Sequence, residues 1–104
     1  MAEHTVEEFT VGMRELLGKN SGLDAKIKIV FEDEQIIFID GKSVPNTVTN
    51  DDQPSDVTLK MSLQTLNKLY RRELNPMMAA MTGKIKVEGD LRQAMKLESI
   101  LGSA

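Results

Sequence analysis

Ala25-Lys26-Ile27-Lys28-Ile29-Val30-Phe31-Glu32-Asp33-Glu34-Gln35-Ile36-Ile37-Phe38-Ile39-Asp40-Gly41 is the stretch on which the fold turns. Ile27, Ile29 and Phe31 alternate with Lys26, Lys28 and Val30, the period-two pattern of a half-buried strand. Glu32-Asp33-Glu34 is an acidic turn. Ile36 to Ile39 then form an unbroken apolar run, which predicts a second strand covered on both faces. Asp40-Gly41 reads as a hairpin turn. Val44 and Val48 suggest a third strand, with Pro45 placing it at a sheet edge or marking an irregularity. After the polar loop from Asn50 to Ser55, Val57, Leu59 and Met61 alternate with Thr58 and Lys60 as a fourth strand.

Helical patterns flank this block. Thr5 and Glu8 have the spacing of a capping box, and Val6, Phe9, Met13, Leu16 and Leu17 follow at helical spacing. Gly18 and Gly22 offer stops. Ser62 is placed to cap a helix bearing Leu63, Leu66, Leu69 and Tyr70. Asn75 and Pro76 open a short helix that carries Met77, Met78 and Met81 and ends at Gly83. Lys84 to Glu88 alternate again, with Ile85 and Val87 facing inward. Asp90 caps a final helix, with Gln93 in the reciprocal capping-box position. On that helix Leu91, Ala94, Met95, Leu97 and Leu101 share one arc, and Glu98 falls inside it, where a carboxylate needs a partner or an edge. The order is helix, four strands, helix, short helix, strand, helix. It predicts an α+β fold: a five-stranded, mainly antiparallel sheet with helices packed on one face.

The 104 residues are enough for one domain with a core of its own. No cysteine is present, which removes disulfides, zinc–thiolate sites and thiol nucleophiles. The single histidine, His4, lies near the N-terminus, so neither a His-rich metal site nor a Ser-His-Asp triad is expected. Net charge is −3, which disfavours a nucleic-acid partner. Residues 1–52 carry five basic and eleven acidic side chains, and residues 53–104 eight and five. The basic half could face an anionic headgroup or simply be a solvated surface. No apolar run approaches the roughly 20 residues of a membrane span. No signal peptide or sorting tripeptide is recognisable, and a cytoplasmic protein is expected.

Seven methionines against four aromatic residues is the compositional oddity. Met77, Met78, Met81 and Met95 fall in elements that would lie together. Unbranched thioethers fill core gaps, and they also line adaptable binding surfaces. Composition leaves both roles open.

Three runs carry a family resemblance: Asp56-Val57-Thr58-Leu59-Lys60-Met61-Ser62, Leu74-Asn75-Pro76, and Met81-Thr82-Gly83-Lys84-Ile85-Lys86-Val87-Glu88-Gly89-Asp90 followed by Ala94-Met95-Lys96-Leu97. In these the chain resembles the sterol carrier protein family, also called non-specific lipid-transfer proteins. The resemblance implies a sheet-and-helix domain enclosing an apolar lipid tunnel, without chemistry of its own and without cofactor or metal. Its ligand would be a fatty acid, fatty acyl-CoA, sterol-like lipid or phospholipid. The expected lining is Phe9, Met13, Leu66, Met77, Met78, Met81, Leu91 and Met95, with Glu98 at an edge. Arg14, Arg71, Arg72 and Gln93 are further candidates for headgroup contact. Transient contact with a membrane surface fits the same reading. The alternative is a non-carrier module of the same fold that forms a homodimer or docks an enzyme through its apolar face or the exposed side of Ile36–Ile39. A catalytic role is not expected, because no nucleophile–base pair is visible.

Overall fold

In a computed structural model the chain forms α1 (Val6–Leu17), β1 (Lys26–Val30), β2 (Ile36–Asp40), β3 (Thr47–Thr49), β4 (Val57–Lys60), α2 (Leu63–Tyr70), α3 (Pro76–Met81), β5 (Lys86–Gly89) and α4 (Leu91–Gly102). The structure describes residues 3–18 and 21–102, with side chains as far as Ser99. The side chain of Leu101, expected on the apolar arc of the last helix, lies outside the described residues.

The strands build one sheet in the order β3-β2-β1-β4-β5. Neighbours pair antiparallel except β1 and β4, which are parallel. The parallel pair follows from the path of the chain after β3. Asn50 Nδ2 donates to Ile36 O at one end of β2. Asp56 N–H then donates to Lys26 O, 2.8 Å away, at the far end of β1. Residues 50–56 therefore cross behind β2 and β1, the kind of crossover a parallel neighbour requires. Lys28, which points away from the core, holds the crossing by an ion pair with Asp52 at 2.8 Å.

This crossing accounts for the strand that is apolar on both faces. Ile37 and Ile39 face the helices and are fully buried. Phe38 points the other way and is nevertheless only 2% exposed. It sits opposite Lys28 and Thr49 in register, under the crossing segment. The strand is thus covered within one chain. The expectation that its outer side stays open for a second copy or an enzyme is corrected, because no exposed ring remains there.

Local chemistry closes most of the elements as the residues suggest. Thr5 and Glu8 make both bonds of the capping box. Ser62 Oγ accepts the Thr65 N–H, and Asn75 Oδ1 accepts the Met77 N–H. The acidic turn is closed by Phe31 N–H to Gln35 O and Glu34 N–H to Phe31 O, with Glu34 at φ +68°.

Three local expectations differ. Asp40-Gly41 is no two-residue hairpin, because residues 41–46 separate β2 from β3. The Asp40 carboxylate instead gathers the N–H groups of Lys42 and Ser43 and the Ser43 hydroxyl. Gly41 is there for space, since a Cβ would lie 2.8 Å from Leu23 Cβ and 2.9 Å from Ala25 O. Val44 is exposed ahead of β3, which starts at Thr47 on the sheet edge. At the start of α4, Asp90 Oδ1 accepts the Arg92 N–H, and both carboxylate oxygens also hold the Arg92 guanidinium. Gln93 N–H bonds to Asp90 O, and among the described residues its side chain does not complete a capping box.

The core lies between the sheet and the helices. Val6, Phe9, Met13 and Leu17 of α1 pack over Ile27, Ile29, Ile37, Ile39 and Val48. Each such side chain contributes roughly 1.5–3 kcal/mol when fully buried. Leu16 is a correction, since it is 39% exposed, while Thr10 is buried instead. The Thr10 hydroxyl donates to Val6 O and accepts from Asn50 Nδ2, which removes the cost of burying it.

Candidate functional site

The helices do not tile the sheet completely. Where β1, β4 and β5 meet α2, α3 and α4 they leave a cavity of about 1580 Å³. Small-molecule sites commonly measure about 300–1,000 Å³, so the space is generous for a domain of this size. Ile29, Leu59, Ile85 and Val87 form its sheet side, with Met61 just beyond β4. Phe9 and Met13 of α1, Leu66 and Leu69 of α2, Met77 and Ala80 of α3, and Leu91, Ala94, Met95 and Leu97 of α4 line it from the helices.

Exposure marks the rim. Nine large apolar side chains are exposed among the described residues, and six of them line this cavity: Val11, Leu16, Tyr70, Met77, Leu91 and Met95. Scattered surface apolar residues need no explanation, but a concentration around one hollow does. The helical spacing that would place Leu91 and Met95 in a core places them here against open space. Leu97, on the same helix, is buried.

Seven of the nine expected site residues therefore meet in one place: Phe9, Met13, Leu66, Met77, Leu91, Met95 and Glu98. Met78 and Met81 do not line it. They are 55% and 79% exposed. The reason is the angular spacing of α3, at 100° per residue. Pro76, Ala80 and Met77 occupy the side toward the cavity, and Ala79 is fully buried beneath. Met78 and Met81 are left on the outer side.

The headgroup candidates also separate. Arg14 is spent on Val48 O, with Nη2 at 2.6 Å and Nε at 3.2 Å. Arg71 bonds to Glu73 and reaches Glu3. Gln93 does not line the cavity, whereas Arg72 and Glu98 do. Glu7, Glu8 and Glu15 of α1 and Glu73 beyond α2 join them at the rim. The Thr5 N–H, and then His4, hold the Glu8 carboxyl below the usual carboxylate range.

Sequence reading missed His4, Asn67 and Tyr70. His4 is not frayed. Its ring meets Phe9 and Tyr70 edge-to-face, with centroids 5.5 and 5.1 Å away, and Phe9 and Tyr70 are 5.7 Å apart. Its backbone is clamped by Asn67, which accepts the His4 N–H and donates to both His4 O and Leu63 O. Asn67 is fully buried. The available signal was Asn67 itself, a polar residue inside the stripe of Leu63, Leu66 and Tyr70; nothing local tied it to residue 4. We expect Asn67→Ala to destabilise the domain by about 2–3 kcal/mol, because three part-buried backbone-to-side-chain bonds made by one fully buried side chain are lost together. Urea denaturation measures this, and a change below about 0.5 kcal/mol would mean the clamp is dispensable.

Comparison with known proteins gives three kinds of likeness. Residues 13–102 match the model of the SCP-2 sterol transfer family. Hydroxysteroid dehydrogenase-like protein 2 of Xenopus laevis is 39% identical over 62 residues, which is 60% of this chain and 13% of that protein. The chain thus spans about an eighth of the length of this relative. Among solved structures, sterol carrier protein domain 2 of Helicoverpa armigera superposes with a TM-score of 0.65 at 24% identity, covering 99% of this chain and 94% of the other. Sterol carrier protein-2 of Aedes aegypti, solved in complex with palmitate, superposes with a TM-score of 0.59 at 21% identity, covering 75% and 71%. Both likenesses are of fold.

Proposed function

The chain belongs to the SCP-2 sterol transfer family, and from that premise we propose that it binds a lipid in the cavity between helices and sheet and carries it without chemical change. The observation that carries this reading is the apolar rim: Val11, Leu16, Met77, Leu91 and Met95 stay exposed around one hollow of about 1580 Å³. The apolar body of the lipid would lie on Ile29, Leu59 and Leu66 and displace the water there. Phe9, Met13, Met77, Leu91 and Met95 would close over it. Methionines suit that task, since they repack around different shapes at small cost.

Energetics agree with binding that remains reversible. A sixteen-carbon chain at about 0.8 kcal/mol per buried CH₂ gains roughly 13 kcal/mol gross. Ordering the chain and losing its free motion offset several kcal/mol of that. No general acid, base or nucleophile is required. The Aedes aegypti relative bound to palmitate supports a lipid as occupant of this fold. Met78 and Met81, outside the cavity on the same short helix as Met77, would be the apolar surface a lipid or a membrane meets first.

The test is direct. Protein stripped of endogenous lipid by solvent extraction should take up an uncharged, environment-sensitive apolar fluorophore one-to-one at micromolar concentration. It should also accelerate movement of a fluorescent lipid between donor and acceptor vesicles. A protein that does neither is not a carrier.

A further inference from the structure

A lipid in this cavity has a polar end, and that end needs a partner. An oxygen taken from water against apolar walls without a hydrogen bond opposes binding. Carboxylate and hydroxyl oxygens are acceptors, so the lining side chains that matter are those able to donate. Among the described residues these are His4, Tyr70, Arg72, Asn75 and Ser99. Asn75 is committed to the cap of α3, where its Oδ1 accepts the Met77 and Met78 N–H groups. His4 Nδ1 faces Glu8 Oε2 at 3.5 Å. The Tyr70 hydroxyl bonds to no described residue.

The Tyr70 ring is nevertheless held in place. The His4 ring meets it edge-on with centroids 5.1 Å apart, and the Phe9 ring meets it at 5.7 Å. His4 is fixed in turn by the fully buried Asn67, which bonds to its backbone on both sides. That clamp meets no local need, since Thr5 and Ser62 already cap the two helices. Its effect is to back the Tyr70 ring at the cavity rim. Tyr70 is 55% exposed, so a polar end lodged beside it keeps contact with water.

We propose that the Tyr70 hydroxyl donates a hydrogen bond to the terminal oxygen of the bound lipid, a fatty-acid carboxylate or a long-chain alcohol, and so fixes the polar end at this corner of the rim. The proposal rests on the carrier reading above and adds an orientation to it. A donor already held by ring contacts loses little freedom when it bonds. A carboxylate accepts more strongly than a hydroxyl, so a fatty acid gains more than an alcohol from the same contact.

Diphenylhexatriene, a hydrocarbon without oxygen, is bound to the lipid-stripped protein and displaced by palmitate or by hexadecanol, each below its aggregation concentration. Tyr70→Phe keeps the ring and removes only the hydroxyl. It should leave diphenylhexatriene affinity within about twofold, weaken palmitate about tenfold and weaken hexadecanol about threefold. Tyr70 is the one tyrosine of the chain, and there is no tryptophan, so the near-UV phenol band of the unmodified protein reports on this residue directly. Palmitate should move that band to longer wavelength as the phenol donates. Undiminished palmitate affinity in Tyr70→Phe overturns the proposal, as does a phenol band that palmitate leaves unmoved. An equal loss for diphenylhexatriene also overturns it, because Tyr70 would then be wall alone. So does a tenfold loss of palmitate that appears in Arg72→Gln and not in Tyr70→Phe. If the unmodified protein binds neither diphenylhexatriene nor palmitate, the carrier reading itself fails. Binding that ignores Tyr70 is a distinct result, a carrier that holds its lipid the other way round.

Discussion

Ala94→Trp is expected to weaken uptake of an apolar ligand by at least tenfold while the domain stays folded. Ala94 lines the cavity from α4 and packs against the core while remaining partly open. Adding a large ring to a close-packed interior typically costs about 1–3 kcal/mol, because neighbours must move. Here the neighbour is empty space. An indole can enter the cavity and bury its own apolar surface, so the stability penalty should be small or absent. The ligand, however, loses the walls that the indole covers. At about 0.8 kcal/mol per CH₂, removing burial from only two methylenes already costs about tenfold in affinity. Fluorophore titration gives the affinity and urea denaturation gives the stability. Undiminished affinity in a folded Ala94→Trp protein would place the ligand somewhere other than this cavity.

Gly89→Ala should act in the opposite way, damaging the fold and the cavity together. Gly89 has φ +119°, a conformation that L residues rarely adopt, and it pairs with Val57 in the β4–β5 register. A Cβ there would lie 2.5 Å from Asp56 O and 2.9 Å from Val57 Cα. Both atoms are backbone, so no side chain can swing aside to make room. Either β5 separates from β4, or Gly89 changes its dihedrals and redirects the entry to α4. A strained backbone costs about 1–3 kcal/mol before any clash is counted, so the total loss should be about 3 kcal/mol or more. For a domain of this size that lowers Tm by more than about 10 °C. Ile85 and Val87, which form part of the cavity, enter through the same segment. Gly83 offers a contrast, with φ +81° but nothing within 4 Å of its would-be Cβ. A stability change below about 0.5 kcal/mol for Gly89→Ala would show that the β4–β5 edge yields easily.

The legible parts of this protein are those set by neighbours in sequence. The period-two run of Ile27 and Ile29, the T-x-x-E box at Thr5 and Glu8, and Ser62 and Asn75 before their helices each state a local preference that the fold accepts. Where expectations failed, a distant residue decided the outcome. Asp40-Gly41 has the composition of a tight turn, yet Gly41 answers to Leu23 and Ala25. The run from Ile36 to Ile39 called for cover on both faces, and only a chain segment more than ten residues later supplies it on the Phe38 side.

The candidate site divides along the same line. Helical spacing on Leu91, Ala94, Met95 and Leu97 identified an apolar arc, and the element order placed that arc over a sheet. Whether the arc meets packed side chains or a cavity is not a local property. Periodicity reports which face is apolar, while volume depends on how far apart the helices and the sheet come to rest. That distance left Met77 at the rim and turned Met78 and Met81 outward. It brought His4 to Tyr70 through Asn67, and it gathered carboxylates from α1, α4 and the end of α2 around one opening. The order of elements, their caps and their apolar faces were written in the sequence, because each depends on residues a few positions apart. The cavity was decided only in the tertiary structure, because it depends on side chains drawn from helices far apart along the chain.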